Sequence, residues 1–330
     1  MEEYQKAKVG ELLETNNTNL KHGDCSSIYI STTSNVIGTL NLYKDYEDVL
    51  SVGSTGAHGF EALLGGAKNV DLFDININQK AYYEYIKCAI MHLSYEDFVK
   101  YFSTTIVSDK LVYAHYKNVL SHNLYEKLVN HLDDDTNALF GPIYDAYDDN
   151  SFLFTSLFRY DYDLYIGHLK KLASFYKKDE FNKLKELLND GASINYELCP
   201  ITDLKDKFSK EYDLILFDNV LTYYQFFDKC NEKKDIINYL ENDVTSLLKD
   251  NGQLQTTYLF LDGAFNFYMN RNNKKFADPF DELRRKMFLE DEVTIDLYKN
   301  YPGYRYNEIK GVEFNSPNPK NTVLTKTRKK

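Results

Sequence analysis

The stretch from Asp48 to Asn76 constrains the fold of this chain more than any other part of the sequence. It begins with the run Asp48–Gly53, which is short, apolar and rich in β-branched residues and stops at a glycine, as is typical of a central parallel strand entering a tight turn. A helix is predicted to start at Phe60, and a second strand, Asn69–Asp74, ends in a carboxylate. A strand, a helix and a second strand in this order predict a parallel α/β sheet.

Three glycines, Gly53, Gly56 and Gly59, flank the turn between that strand and that helix. Because glycine has no Cβ, it adopts positive φ readily and lets a ligand come close to the backbone. The helix N-terminus behind the turn attracts negative charge. Asp74 ends the second strand at the separation from Gly53 at which an acid accepts hydrogen bonds from ribose hydroxyls. The stretch therefore predicts a nucleotide-cofactor site with Asp74 as the ribose ligand.

The spacing of the glycines separates two cofactors. Dinucleotide-binding turns carry glycines as G-x-G-x-x-G, whereas this turn has Gly53-x-x-Gly56-x-x-Gly59, with Thr55 at the second glycine position. The spacing disfavours NAD and favours S-adenosylmethionine (SAM), which has no pyrophosphate and needs a backbone loop around a zwitterionic amino acid. A structural turn without any ligand is an equally open interpretation of the same glycines.

The segment Val49–Phe102 contains the runs GSTGAHGFEALL, VDLFDIN and IKCAIMHLSYEDFVKYF, and it resembles the BtaA-like family of SAM-dependent 3-amino-3-carboxypropyl transferases. The residues that match the family are Ser54, Gly56, Asp74, Asn76, Gln79 and Tyr95–Phe98. The sequence departs from the family at Ala57 and His58, where the family shows Cys-Asn, and at Ile77, where it shows proline.

The resemblance implies a class I SAM-dependent methyltransferase-like Rossmann fold and transfer of a 3-amino-3-carboxypropyl group. A lipid headgroup acceptor would follow from the family, and a small-molecule acceptor stays open. The residues that the resemblance and the glycine turn predict to hold SAM are Gly53, Ser54, Thr55, Gly56, Asp74, Ile75 and Asn76.

The end of the third predicted strand, Ser193–Cys199, supplies a second part of the cofactor site. In SAM-binding sheets the turn after this strand packs against adenine. Alignment of the strand and turn patterns places Pro200 and Ile201 there. We therefore expect apolar packing and backbone contacts to hold the adenine.

The fourth predicted strand, Tyr212–Asp218, ends at the carboxyl edge where a doubly wound sheet places its ligands. We expect Asp218 and Tyr223 to be catalytic and Asn219 to contact the cofactor. The alternatives are that Asp218 caps the following helix and that Tyr223 packs in the core.

The whole chain is predicted to fold as a doubly wound, mostly parallel, seven-stranded α/β sheet with a helical insertion. The segments are 1–47, an N-terminal cap; 48–108, the first half of a Rossmann-like domain; 109–190, a helical insertion that covers the acceptor; and 191–330, the second half. A single helix is predicted at Asn78–Phe102. The last three strands are predicted at Gly252–Leu261, entered through the turn Asn251-Gly252, at Val293–Tyr298 and at Thr322–Thr327.

The composition disfavours several partners and sites. A net charge of −11 disfavours duplex nucleic acid, which needs a basic face. The lack of an apolar run long enough to span a bilayer and of a hydrophobic signal segment predicts a cytoplasmic protein without a transmembrane segment. The four cysteines and the histidines of 109–190 lack metal-ligand spacing, so no metal is predicted. Aminocarboxypropyl transfer, methyl transfer and binding without catalysis stay open, and no oligomeric state is predicted.

Overall fold

The structure is a computed structural model that describes residues 28–32, 36–40, 45–103, 121–144, 158–159, 166–218, 220, 238–256, 294–296, 308–309, 312–313 and 322–327. Its strands are β1 (Ile28–Tyr29), β2 (Asp48–Val52), β3 (Asn69–Asp74), β4 (Phe158–Arg159), β5 (Ile194–Leu198), β6 (Tyr212–Leu216), β7 (Leu248–Thr256), β8 (Thr294–Asp296), β9 (Glu308–Ile309), β10 (Val312–Glu313) and β11 (Thr322–Thr327).

The α-helices within the described residues are α1 (Val36–Leu40), α2 (Ala57–Leu64), α3 (Ile77–His92), α4 (Tyr95–Phe102), α5 (His122–Leu128), α6 (134–144), α7 (Ile166–Leu172), α8 (Lys178–Asn189) and α9 (Leu204–Lys207). Short 3₁₀ turns lie at Val129–His131, Ser174–Tyr176, Ile201–Asp203 and Thr245–Leu247, and a π-helical turn lies at Leu240–Val244.

Five parallel strands form the centre of the main sheet, in the order β5-β3-β2-β6-β7. The chain adds β3 and then β5 on one side of β2, and it then crosses to the other side to add β6 and β7. The sheet is therefore doubly wound, and its strand order changes direction between β2 and β6. This confirms the predicted parallel α/β fold. Beyond β7, β11 and then β8 extend the sheet, each antiparallel to the strand before it.

Helices and turns cover both faces of this sheet, because neighbouring residues of each strand pack into two separate cores. Val49 and Leu214 pack into the first core, and Leu50 and Ile215 pack into the second. The first core also holds apolar residues of α2, α3, α4 and α8, and the second holds those that follow β5 and those that precede β7. Strands that are buried on both faces have nearly continuous apolar sequences, as β2 and β6 do.

Charged groups join the amino ends of three strands. Lys249 of β7 forms ion pairs with Asp48 of β2 and with Asp213 of β6, and its Nζ lies 3.0 Å from the Asp213 Oδ2. The same Oδ2 accepts the N–H groups of Glu47 and Asp48, each at 2.9 Å. These contacts connect Asp48 to residues that follow it by 165 and 201 positions in the chain.

The helix after β2 begins earlier than predicted. It starts at Ala57 rather than at Phe60, so Gly59 lies in its first turn. A Cβ on Gly59 would come 3.0 Å from Ile194, which shows that glycine at this position lets α2 pack closely on the sheet.

The predicted helix Asn78–Phe102 is two helices, α3 and α4. The break occurs at Ser94, whose Oγ accepts the N–H of Asp97 at 3.0 Å and so caps α4. The sequence did not show this break because apolar residues recur at helical spacing through both helices. Serine before an acidic first turn is nevertheless a known signal for the start of a helix.

The turn predicted at Asn251-Gly252 lies inside β7. Asn251 has a positive φ of 64°, and a Cβ on Gly252 would come 2.7 Å from the carbonyl oxygen of Tyr212. The pairing register between β6 and β7 shifts at the same place. The pair is therefore an irregularity within a strand, of the kind that carries the same residue types as a turn.

The described part of the segment 109–190, which was predicted as a helical insertion, contains the helices α5 to α8. It also contains β4, which pairs in parallel with β1 and was not predicted. No helix among the described residues is long and apolar enough to cross a membrane. In the same residues, no group of three or more His, Cys, Asp or Glu side chains is placed to hold a metal ion.

Candidate functional site

The turn between β2 and α2 lies at the carboxyl edge of the sheet, where the strand order changes direction. The N–H of Gly53 donates to the carbonyl of Phe73 at 2.7 Å, and the N–H of Gly56 donates to the carbonyl of Gly53 at 2.8 Å. Ser54 and Gly56 have positive φ angles of 42° and 80°. Gly56 directly precedes α2 and provides no side-chain cap. The turn therefore places the positive end of a helix at the edge where doubly wound sheets bind ligands.

Two buried tyrosine rings fill the space beside the glycines of this turn. A Cβ on Gly53 would overlap the ring of Tyr196, and a Cβ on Gly56 would overlap the ring of Tyr83. The two rings lie against each other, with centroids 4.9 Å apart. The prediction that these glycines leave space for a ligand is therefore wrong on the side where a Cβ would lie. There, the rings of Tyr196 and Tyr83 fill the space beside Gly53 and Gly56.

Asp74 ends β3 and fastens it to the turn. Its Oδ2 accepts the N–H of Ser54 at 3.0 Å and the hydroxyl of Tyr196 at 3.4 Å, and its Oδ1 accepts the N–H of Asn76 at 3.1 Å. Burial raises the pKa of Asp74, and the backbone hydrogen bonds oppose that rise. Protein donors thus use most of the roughly four lone-pair positions of the carboxylate. The long bond from Tyr196 is the one that a ligand hydroxyl would replace most easily.

The residues after β3 have different roles. Ile75 is 44% exposed, and within the part of the chain that the structure describes it is the one large apolar side chain that is exposed. Asn76 caps α3, because its Oδ1 accepts N–H groups of the first turn, including that of Gln79 at 3.3 Å. The Gln79 Oε1 accepts the N–H of Tyr29 at 2.7 Å, and the Gln79 Nε2 donates to the carbonyl of Tyr29 at 3.0 Å. Asn76 and Gln79 thus support the fold, whereas Ile75 offers an apolar surface at the edge.

The turn after β5 lies beside the end of β3. The N–H of Cys199 donates to the carbonyl of Asp74 at 2.9 Å. Pro200 is half-buried, whereas Ile201 is almost fully buried and packs into the second core. The carbonyl of Ile201 accepts a hydrogen bond from the hydroxyl of Tyr239. Of the two residues predicted to contact adenine, Pro200 is the one that is partly exposed.

Asp218 follows β6, next to the turn after β2. Ser51 of β2 pairs with Leu216 of β6, so the two strands end side by side. Asp218 is half-buried and has a positive φ of 48°, a backbone conformation that is uncommon for residues other than glycine. Asn219 and Tyr223, the other residues predicted at this strand end, lie outside the described residues. The structure thus places Asp218 near the glycine turn.

His58, in the first turn of α2, is a residue of this site that the sequence reasoning did not select. Its side chain is 3% exposed, and its Nε2 has no hydrogen-bond partner among the described residues. Burial lowers the pKa of His58, and the nearby carboxylate of Asp218 acts in the opposite direction. One feature of the sequence could have drawn attention to His58: this chain has Ala57 and His58 where the BtaA-like family shows Cys-Asn.

Two further buried polar atoms, Tyr83 Oη and Gln255 Oε1, also have no partner within the described ranges. The ring of Tyr83 packs on Gly56, and Gln255 of β7 pairs with Leu216 of β6. Buried polar atoms nearly always have hydrogen-bond partners in folded proteins. Unpartnered polar atoms of this kind therefore distinguish His58, Tyr83 and Gln255 from the other buried polar residues that the structure describes.

Glu61, one turn after His58 in α2, is a buried carboxylate with a different role. Its Oε1 accepts the N–H groups of Ser174 and Phe175 at 2.5 and 3.1 Å, and its Oε2 accepts the Ser174 hydroxyl at 2.6 Å. Burial raises the pKa of Glu61 to about 7, although these bonds favour the carboxylate. Glu61 therefore links α2 to the 3₁₀ turn Ser174–Tyr176.

Comparisons with known proteins leave the family of the chain open. No protein-family model matches it, and no curated protein matches it. Among solved structures, the chain is similar to TehB from Haemophilus influenzae, with 15% sequence identity and a TM-score of 0.24. The similarity covers 63% of this chain and 66% of the TehB chain, slightly less than two thirds of its length. The α/β fold therefore rests on the strand order itself, and membership of the BtaA-like family stays a prediction.

Proposed function

We propose that this protein is a SAM-dependent transferase with a class I methyltransferase-like fold, in which β8 and β11 serve as the sixth and seventh strands. The observation that carries the proposal is the turn Gly53–Gly56 at the point where the strand order changes direction. Left-handed backbone at Ser54 and Gly56, a helix start without a side-chain cap, and Asp74 at the end of the neighbouring strand occur together there. Doubly wound sheets bind nucleotide ligands at this position.

The residues present at this edge suit the separate parts of SAM. Asp74 would accept a ribose hydroxyl in place of the Tyr196 hydroxyl, and the exposed side chain of Ile75 would pack on adenine together with Pro200. The N–H groups at the start of α2 would hold the carboxylate of the methionine part. When bound, SAM supplies a sulfonium whose attached carbons are electrophilic. The chain's own part is to hold the acceptor in line and to exclude water.

The finer proposal concerns the group that is transferred. We propose the 3-amino-3-carboxypropyl group, on the basis of the resemblance to the BtaA-like family over Val49–Phe102. The acceptor would then be a lipid headgroup or a small molecule, with Asp218 and Tyr223 at the reacting edge. Methyl transfer is the second candidate, because it is widespread among enzymes built on such sheets. The nucleoside product separates the two: aminocarboxypropyl transfer leaves 5′-methylthioadenosine, and methyl transfer leaves S-adenosylhomocysteine.

Calorimetry with SAM tests the cofactor, using Asp74→Asn and the matched surface variant Asp206→Asn. Asp206 is exposed on α9, so its replacement serves as the control for the loss of one charge. We expect wild type and Asp206→Asn to bind SAM alike, and Asp74→Asn to bind about 2 kcal/mol more weakly, or roughly 30-fold in Kd. Absence of SAM binding by the folded wild type would instead support the third hypothesis, a binding module without this chemistry.

A further inference from the structure

Three buried side chains keep a polar atom without a partner in the described part of the chain, and two of them concern us here. These two are His58, which is 3% exposed, and Gln255, which is 0% exposed. Leaving a buried donor or acceptor unsatisfied carries a free-energy cost. The fold contains this cost twice in one region, and a bound polar group would remove it.

The strand register places both side chains on the same face of the sheet. Leu216 of β6 pairs with Ser51 of β2 on one side and with Gln255 of β7 on the other. Residues in register on neighbouring parallel strands point to the same face. Leu216 packs into the first core, as do Ala57 and the other apolar residues of α2. Gln255 therefore lies on the face that carries α2 and His58, and the end of β6 lies between them.

The chemistry of these groups selects a ligand that donates hydrogen bonds. The amide nitrogen of Gln255 donates to the Oε1 of Gln253 at 2.7 Å, which leaves the carbonyl oxygen of Gln255 as an acceptor. Burial lowers the pKa of His58 and so favours the neutral imidazole, while the carboxylate of Asp218 acts in the opposite direction. A neutral imidazole has one nitrogen that accepts a hydrogen bond.

We propose that His58 and Gln255 bind the hydroxyl or amine group of the acceptor molecule, on the α2 side of the sheet and beside the end of β6. The assignment of this ligand as an acceptor rests on the proposed function, whereas the polar site itself does not require SAM. An amine can donate one N–H to the Nε2 of His58 and another to the Oε1 of Gln255, whereas a hydroxyl has one proton and can donate to only one of these two atoms. The acceptor class is therefore a neutral alcohol or a primary amine, either free or as the headgroup of a lipid.

Nuclear magnetic resonance of protein labelled at histidine Cε1 tests the site without relying on turnover. The chain has seven histidines, and the signal that disappears in His58→Gln identifies His58. The probes are glycerol, ethanolamine, and phosphatidylcholine vesicles with and without dioleoylglycerol. His92→Gln is the control variant, because His92 lies exposed at the end of α3 and stacks on His131.

We expect one of these probes to shift the His58 signal saturably. We also expect Gln255→Met to weaken the binding of that probe at least tenfold. A shift produced by glycerol or ethanolamine identifies a free acceptor, and one produced only by the dioleoylglycerol vesicles identifies a lipid. The Kd for SAM should stay within threefold of wild type in His92→Gln, which lies outside the site.

Two results overturn the inference. One is a His58 signal that none of the probes moves in protein that binds SAM, which leaves the proposed function standing. The other is a shift that Gln255→Met and wild type show with equal affinity. If a probe shifts the His58 signal in protein that does not bind SAM, the polar site stands and the proposed function fails.

Discussion

Replacing Glu61 by glutamine should remove a large part of the pH dependence of stability. Glu61 is buried in α2 and accepts three hydrogen bonds from Ser174 and Phe175. Glutamine keeps an oxygen for the two N–H donors, and its new NH₂ group can donate to the Ser174 hydroxyl. The substitution therefore preserves the link to the 3₁₀ turn and removes only the ionisation.

The size of the effect follows from the two pKa values. Folding raises the pKa of Glu61 from 4.5 to about 7. Since each unit of pKa corresponds to about 1.4 kcal/mol, the linked free energy is about 3 kcal/mol. Because the folded pKa is the higher one, this stability is fully present below pH 4.5 and is lost as the pH rises through about 7. Glutamine does not titrate, so the variant lacks this loss.

Urea unfolding of wild type and Glu61→Gln at a series of pH values between about 4.5 and 8 measures the effect. The free energy of unfolding of wild type minus that of the variant should fall by about 3 kcal/mol across this range. Taking the difference cancels groups common to both proteins, including His58, whose lowered pKa acts with the opposite sign. Glu96→Gln, at an exposed position of α4, is the control: the hydrogen bond from Lys178 lowers the pKa of Glu96, so its difference should not fall across this range. A flat difference for Glu61→Gln would refute the assignment of a buried, titrating carboxylate.

Three further predictions concern the turn and its surroundings. Gly56→Ala should cost about 3 kcal/mol of stability, against about 1 for Gly66→Ala, because both have positive φ but only the first would overlap a buried ring; equal costs in thermal unfolding would contradict this. Gln79→Leu should speed hydrogen exchange of the Tyr29 amide at least tenfold, because the two hydrogen bonds between the Gln79 side chain and the Tyr29 backbone are lost. Unchanged exchange would show that Gln79 does not hold Tyr29 in place. Ile75→Asp should leave thermal stability unchanged, because the side chain is exposed, and should weaken the binding of SAM about tenfold in calorimetry. An unchanged Kd for SAM would exclude Ile75 from the site.

The sequence predicted the central strands well because they carry their own boundaries. The observed β3 has the predicted bounds Asn69–Asp74, since an apolar run buried on both faces ends there in a carboxylate. The start of α2 was missed because its cap position is Gly56, which gives no polar capping signal. Asn251 and Gly252 were assigned to a turn because an irregularity inside a strand and a turn between strands need the same left-handed backbone.

The roles of the polar site residues were harder to predict, because they depend on partners distant in the chain. Glu61 is separated from Ser174 by 113 positions, and no pattern in the neighbouring sequence predicts that contact. Asp74 was predicted as a ribose ligand from its place at a strand end. Its hydrogen bonds to Ser54 and Tyr196 come from the turn and from β5, and they are visible only once the sheet is assembled.

The strand order also has a consequence for how the chain is made. During synthesis β2 and β3 leave the ribosome long before β6, the partner of β2 on its other side, which begins at Tyr212. The Lys249 that joins Asp48 and Asp213 arrives later still. Until then the apolar central strand is an open edge that can pair with other chains. The edge of β2 that faces β6 therefore stays unpaired until more than 160 residues after β2 have been synthesised.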